Sequence, residues 1–378
     1  MLLSVAMVVK NEINTLDRTI KSIRGYADEI VIGVDKGSDD GTRELANKLG
    51  DKVIDIYLSE ELDKKESVTR DDDTWGFSKA RNMVLDACKD ANYRLTLDGH
   101  ETVIDPQNVS DVIADAVEKG CDGVEVELLF EPDANGIPRQ MIRQGRILAP
   151  TVRYNNPLHN VPIVKRLMFS KEFKIEHRKQ DQAAESREDR DEQRSDSTIN
   201  GLLKDIERDP KNTRSWFYLG NAYRGDERWQ EAIGAYDHYL TISQCVEERM
   251  YARVNMGVCY DNVGNLASAR EQYARALDEF PGMVEVYCSL GELACRQGMF
   301  VEAQLWLEAC IEMPVPDRML FVNPRAYLVD RYDRLSLVYG NLGRYGDAIE
   351  MAGKALESVR DSRIENNVKV WRKALGRK

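Results

Sequence analysis

No apolar run in this 378-residue sequence approaches the roughly 20 residues that cross a bilayer. The opening stretch MLLSVAMVVKNE is apolar, but it lacks the basic leader and small-residue cleavage site of a signal peptide and is expected to form a first β-strand. A basic surplus is missing as well. Asp and Glu number 65 against 53 Lys and Arg, for a formal net charge of −12. That balance argues against general nucleic-acid binding, which needs cations to neutralise phosphates. The cysteines are seven, an odd number, and show no paired metal spacing. An odd count without a disulfide framework fits a reducing compartment, and a cytoplasmic setting is expected.

The apolar fraction of 42% suffices for cores in two or three domains. In the first half, apolar runs alternate with helical periodicity. Leu2 to Val9 reads as a strand buried on both faces, and Leu16, Ile20 and Ile23 follow at helical spacing. Glu29 to Asp35 is a second buried strand, closed by the turn and cap residues Lys36 to Thr42, with Ser38 among them. A third strand over 51–58, a helix over 78–88 and a strand from Tyr93 to Leu97 complete a β-α-β-α rhythm. The expectation is an α/β domain on a mostly parallel sheet.

Ligands in such sheets lie beyond the carboxyl ends of the strands. Three of those ends are polar here: Lys10-Asn11-Glu12, Asp35, and Asp98-Gly99-His100-Glu101. The last, in RLTLDGHE, places three ionisable side chains directly after a buried strand. Either a strand end is meeting water, or a metal or charged ligand is held there.

The segments LSVAMVVKNE, ADEIVIGVDKGSDDGT, WGFSKARNMVL and LTLDGHE resemble, in order and spacing, the nucleotide-sugar domain of family-2 glycosyltransferases of the GT-A (Rossmann-like) fold. The resemblance covers residues 1–175. It implies an inverting enzyme using a nucleotide diphosphate sugar, UDP-linked by first expectation, and a divalent cation that stabilises the leaving group. LDGHE stands where the family has an Asp-x-Asp motif, so Asp98, His100 and Glu101 are the implied catalytic group. His100 in place of the second aspartate shifts the expected metal from Mg²⁺ towards Mn²⁺. The alternatives are that Glu101 or water takes its place, or that metal dependence is lost. By the same resemblance Ala6, Asn11, Glu12, Asp35 and Ser38 line the nucleotide cleft, and Arg81 approaches the diphosphate with its guanidinium fork. VRYNNPLHNVPIV resembles a segment that in relatives ends in a His-Glu pair near the metal, which adds His159 to the implied ligands Asp98 and His100. For the general base, Glu125, Glu127, Glu131 and Asp133 are equal candidates.

Residues 176–200 are dense in both charges and nearly free of large apolar residues, which reads as a charged linker or a polar helix. From 201 the chain is periodic. Trp216, Leu219, Gly220 and Tyr223 fit the W-x₂-L-G-x₂-Y signature of a tetratricopeptide repeat, and three further copies follow before a capping helix over 363–375. An all-α superhelix over 201–378 is expected, its inner surface suited to a protein or peptide acceptor, with scaffolding or homodimer formation as the other use. Repeats behind a family-2 domain resemble the arrangement of peptide S-glycosyltransferases that modify bacteriocins. A hydroxymethylated DNA base or a glycan is the alternative acceptor, and a non-catalytic scaffold with a degenerate donor domain is the alternative of another class.

Overall fold

The run Leu3–Val9 becomes β1, buried at every position. Side chains alternate across a strand, and here both sides are covered. Leu3, Val5, Met7 and Val9 enter one apolar cluster with Leu16, Ile20, Ile23, Ile32 and Val34. Ala6 and Val8 enter another with Val31, Ala80, Val84 and Leu85. The computed structural model describes residues 2–58, 77–88, 91–155, 161–178, 187–316 and 321–376.

The chain divides into two compact units, the first drawn from residues before 185 and the second chiefly from Glu185 onward. In the first, β1 is followed by α1 (Leu16–Ile23), β2 (Glu29–Asp35), α2 (Thr42–Leu49), β3 (Lys52–Ile56), α3 (Phe77–Ala87), β4 (Tyr93–Asp98), β5 (Glu101–Ile104), α4 (Val109–Glu118), β6 (Gly123–Phe130), β7 (Gln140–Leu148) and β8 (Leu167–His177). These strands line up in the order β3-β2-β1-β4-β7-β6-β8-β5. β1 pairs in parallel with β2 from Ser4↔Glu29 to Val9↔Val34 and with β4 from Leu3↔Tyr93 to Val8↔Asp98. The three polar strand ends therefore lie side by side on one edge of the sheet. Beyond β4 the sheet turns mixed: β7 runs antiparallel to β4 and β6, and β5 antiparallel to β8.

Of the two readings for residues 176–200, linker or polar helix, the described residues show strand at the start and helix from Arg187. β8 keeps its ladder through His177, which pairs with Glu101 and Phe130. Further on, α5 (Arg187–Arg208) is helical, as its Glu, Arg and Gln content favours.

In the second unit α6 (Thr213–Gly225), α7 (Trp229–Ile242), α8 (Val246–Asn262), α9 (Leu266–Glu279), α10 (Val284–Arg296), α11 (Phe300–Ala309), α12 (Arg331–Asn341) and α13 (Tyr345–Ser358) form helix pairs, and α14 (Ser362–Leu375) follows. The glycines of the repeat signature mark where paired helices touch. A Cβ on Gly220 would stand 2.6 Å from the Tyr236 ring, and one on Gly257 would stand 2.5 Å from that of Tyr273. Tyr236 and Tyr239 are wholly buried and belong to the core of the first repeat. Asn212, Asn265 and Asp361 cap α6, α9 and α14 by accepting from backbone N–H groups of the first turn.

Candidate functional site

The loop after β1 is laced to the loop after β2. Asn11 takes a left-handed backbone, φ 55°. Its N–H donates to the Ser38 hydroxyl (3.2 Å), and its side-chain amide exchanges hydrogen bonds with Asp39 (3.1 Å each way). The Glu12 N–H donates to Thr42 Oγ1 at 2.7 Å. Asp35 is fully buried. Its Oδ1 accepts from the Gly37 N–H (2.8 Å) and meets Lys10 Nζ at 3.4 Å, while Oδ2 accepts from the Leu58 N–H (2.6 Å). The Asp35 carboxylate thus ties the ends of β2 and β3 together.

At the end of β4 the neighbouring side chains converge. Arg81, from α3, donates from Nη2 to Asp98 Oδ1 at 2.6 Å. Its Nε and Nη1 are buried without a hydrogen-bond partner, although the residue is only 8% exposed. Tyr154 lies 5.4 Å from the guanidinium, and its hydroxyl shares a hydrogen bond with Thr96 Oγ1 (3.0 Å). Burial opposes the charge on both Arg81 and Asp98, but their attraction prevails. The arginine is held as a cation. The Asp98 carboxyl is held well below the usual carboxylate range by Arg81, then Arg146, His100 and His177.

His100 and Glu101 turn inward. Glu101 is fully buried. Its Oε2 accepts from the Asp98 N–H (2.8 Å), and its Oε1 accepts from Arg146 Nη2 (2.7 Å) and lies 3.3 Å from His177 Nδ1. His100 Nδ1 lies 2.8 Å from Glu12 Oε1, and its Nε2 lies 3.3 Å from Nε2 of His177. The two rings stand nearly perpendicular, at 84° with centroids 4.4 Å apart. Burial disfavours an imidazolium at His100, but the hydrogen bond and charge of Glu12, with Asp98 and Glu101 behind it, raise its pKa.

Asp98, His100, Glu101, Arg81 and Glu12 form one connected group. Asn11, Ser38 and Asp35 frame the adjoining strand ends. Ala6 is 4% exposed and packs in one apolar cluster with Ala80 and Val84. Glu12 is buried, its carboxylate directed at His100. His159 lies outside the described residues. Among the general-base candidates, Glu127 pairs with Lys174 and Glu131 with Arg139, both at 3.3 Å. Two members of the group are new. His177 follows Phe173 and Ile175 on the inward face of β8, an alternation that the sequence carries but that the surrounding charge obscured. Arg146 precedes Ile147 and Leu148 in β7, a lone cation inside a buried run. Among the described residues no three His, Cys, Asp or Glu side chains enclose a point where a metal ion would be held. No helix of the described residues is long and apolar enough to cross a membrane.

Residues 4–178 match the family model described as Glycosyl transferase family 2. Tetratricopeptide repeat models match residues 206–244, 260–312 and 329–358. The search of curated proteins returns no match. Similar solved structures include MamA, 19% identical over 47% of this chain and 95% of that one, with a TM-score of 0.38. YrrB, described as a TPR protein with an unusual peptide-binding site, is 19% identical over 47% of this chain and 84% of its own, at a TM-score of 0.37. A tetratricopeptide repeat protein from Parabacteroides merdae is 17% identical over 49% and 69%, at 0.39. The chain carries a family-2 glycosyltransferase domain fused to tetratricopeptide repeats.

Proposed function

We propose that the first unit transfers a sugar, with inversion, from a nucleoside diphosphate donor, UDP-linked by first choice, to a protein or peptide acceptor that the repeats position. The observation that carries the donor side is Arg81, a buried guanidinium with one nitrogen on Asp98 and two donors unanswered. A buried donor without a partner costs free energy, so such a fork calls for an anion. Asp98 orients that fork and keeps it charged. The seven cysteines, all free thiols, support a reducing compartment.

A divalent cation at the Asp98–His100 end of the sheet would need oxygens from the donor or water beside these side chains, since the described residues form no three-ligand set by themselves. Nε2 of His100 and Nε2 of His177 face each other at 3.3 Å, and two imidazoles with oxygens from a diphosphate or water suit Mn²⁺ better than Mg²⁺. When bound, such an ion would offset the charge that develops on the leaving diphosphate.

Calorimetric titration with UDP and then GDP, with and without Mn²⁺, tests the proposal. The expected result is UDP binding strengthened by Mn²⁺. Binding of neither nucleotide under any metal condition would leave a non-catalytic scaffold as the better reading.

A further inference from the structure

Resting on the donor site proposed above, we infer that Lys10 is a second cation for the donor's diphosphate, anchored by the Asp35 carboxylate as Arg81 is anchored by Asp98. Asp35 itself does not meet the donor in this assignment; it is a positioning residue that acts through the lysine.

The strand order places Lys10 where a ligand is met. From β1 the chain moves to β2 and then β3 on one side, and it returns with β4 on the other. β1 runs parallel to both neighbours, so the order reverses between the carboxyl ends of β1 and β4. Ligands of such sheets lie in the crevice at that reversal. Lys10 is the first residue past the end of β1, and Asp98, with Arg81 on it, ends β4. The pairs Val9↔Val34 and Val8↔Asp98 bring Lys10 level with Asp35 on one side and just past Asp98 on the other. Two cations, each tied to a carboxylate, thus flank the reversal.

Asp35 is closed to a ligand. Its side chain is 0% exposed, against 40% for that of Lys10. Its Oδ1 accepts from the Gly37 N–H at 2.8 Å and faces Lys10 Nζ at 3.4 Å, while Oδ2 accepts from the Leu58 N–H at 2.6 Å. A nucleotide at this edge therefore meets the ammonium before it meets the carboxylate. A lysine ammonium has three donors and no acceptor. Asp35 is its one ion-pair partner among the described residues, which leaves donors for a ligand. The neighbouring Lys36 is placed otherwise: its Nζ stands 4.9 Å from the centroid of the Tyr57 ring, beside the end of β3. Fixing a mobile lysine on a ligand costs side-chain entropy, and one already leaning on a buried carboxylate loses less of it. A nucleoside diphosphate carries oxyanions on two phosphates, which two anchored cations match in number and sign.

Calorimetric titration of UDP into the full chain, in one metal condition throughout, tests the assignment. Lys10→Met keeps the stem without its charge and is expected to weaken UDP about 10- to 100-fold, the span of a charged hydrogen bond. Unchanged UDP affinity overturns the inference. Because this substitution leaves Asp35 without its cation, the wild type supplies an independent readout. Labelling with acetic anhydride, followed by mass spectrometry, reports the reactivity of Lys10. Bound UDP is expected to shield it, whereas uridine, which lacks the phosphates, is not. Shielding by both, or by neither while UDP is bound, overturns the inference and leaves the donor site standing. No UDP binding by the wild type removes both.

Discussion

Arg81 is where a change of one side chain separates charge from shape. Lysine at this position keeps the positive charge beside Asp98 but offers a compact ammonium on a flexible stem in place of a planar fork. With Asp98 still paired, Arg81→Lys is expected to leave the folding transition nearly unchanged while weakening UDP by about 10-fold or more, since bidentate contact with phosphate is what lysine cannot reproduce. Calorimetry on the variant decides: UDP affinity equal to wild type would make Arg81 a structural partner of Asp98 and nothing more. Asp98 and Arg81 were legible in the sequence because each sits in a motif at a strand end or helix start. His177 and Arg146 were not. In sequence their neighbours are ordinary charged or strand residues, and only the sheet order, with β8 beside β5 and β7 beside β4, brings them to Glu101. Glu12 was legible as part of the site but not in its direction, because the turn that aims it inward depends on Thr42 and Thr15, each from a different element.

At the scale of elements, the turns between paired repeat helices repeat one backbone conformation. Gly264, Gly298 and Gly343 hold it with φ of 77°, 73° and 74°, and in the first repeat the same place is filled by Glu227 with φ 57°. A left-handed backbone costs a residue with a Cβ about 1–2 kcal/mol, part of which glycine returns through its larger unfolded-state entropy. Glu227 is exposed, and its side chain enters no core. Glu227→Gly is therefore expected to stabilise the repeat unit by about 1 kcal/mol, seen as a higher denaturant midpoint with an unchanged slope. A lower midpoint would mean that the glutamate contributes something its backbone strain conceals. The periodic elements were the most legible part of the chain. Seven buried positions in a row mark β1, and tyrosines facing glycines mark the repeats. The short β5 was not legible, since four residues carry too little pattern and its pairing with β8 spans about 70 positions of sequence.

For the whole molecule, the apolar clusters of the sheet unit are built from residues up to Ile175, and those of the first repeats from Ile199 onward, with no residue in common. Chains made of such units need not unfold in one step. Two transitions are expected in calorimetric or denaturant unfolding, and the proposed donor site assigns them. A ligand that binds only the folded form stabilises the unit that holds it, by about 2.7 kcal/mol at a hundredfold excess over its Kd. UDP with Mn²⁺ should raise the transition of the sheet unit and leave that of the repeats in place, whereas an acceptor peptide held by the repeats should do the reverse. A single transition that moves as one under UDP and Mn²⁺ would mean that the two units share their stability. Donor occupancy would then be felt by the repeats, making the fusion itself a device that couples the two units.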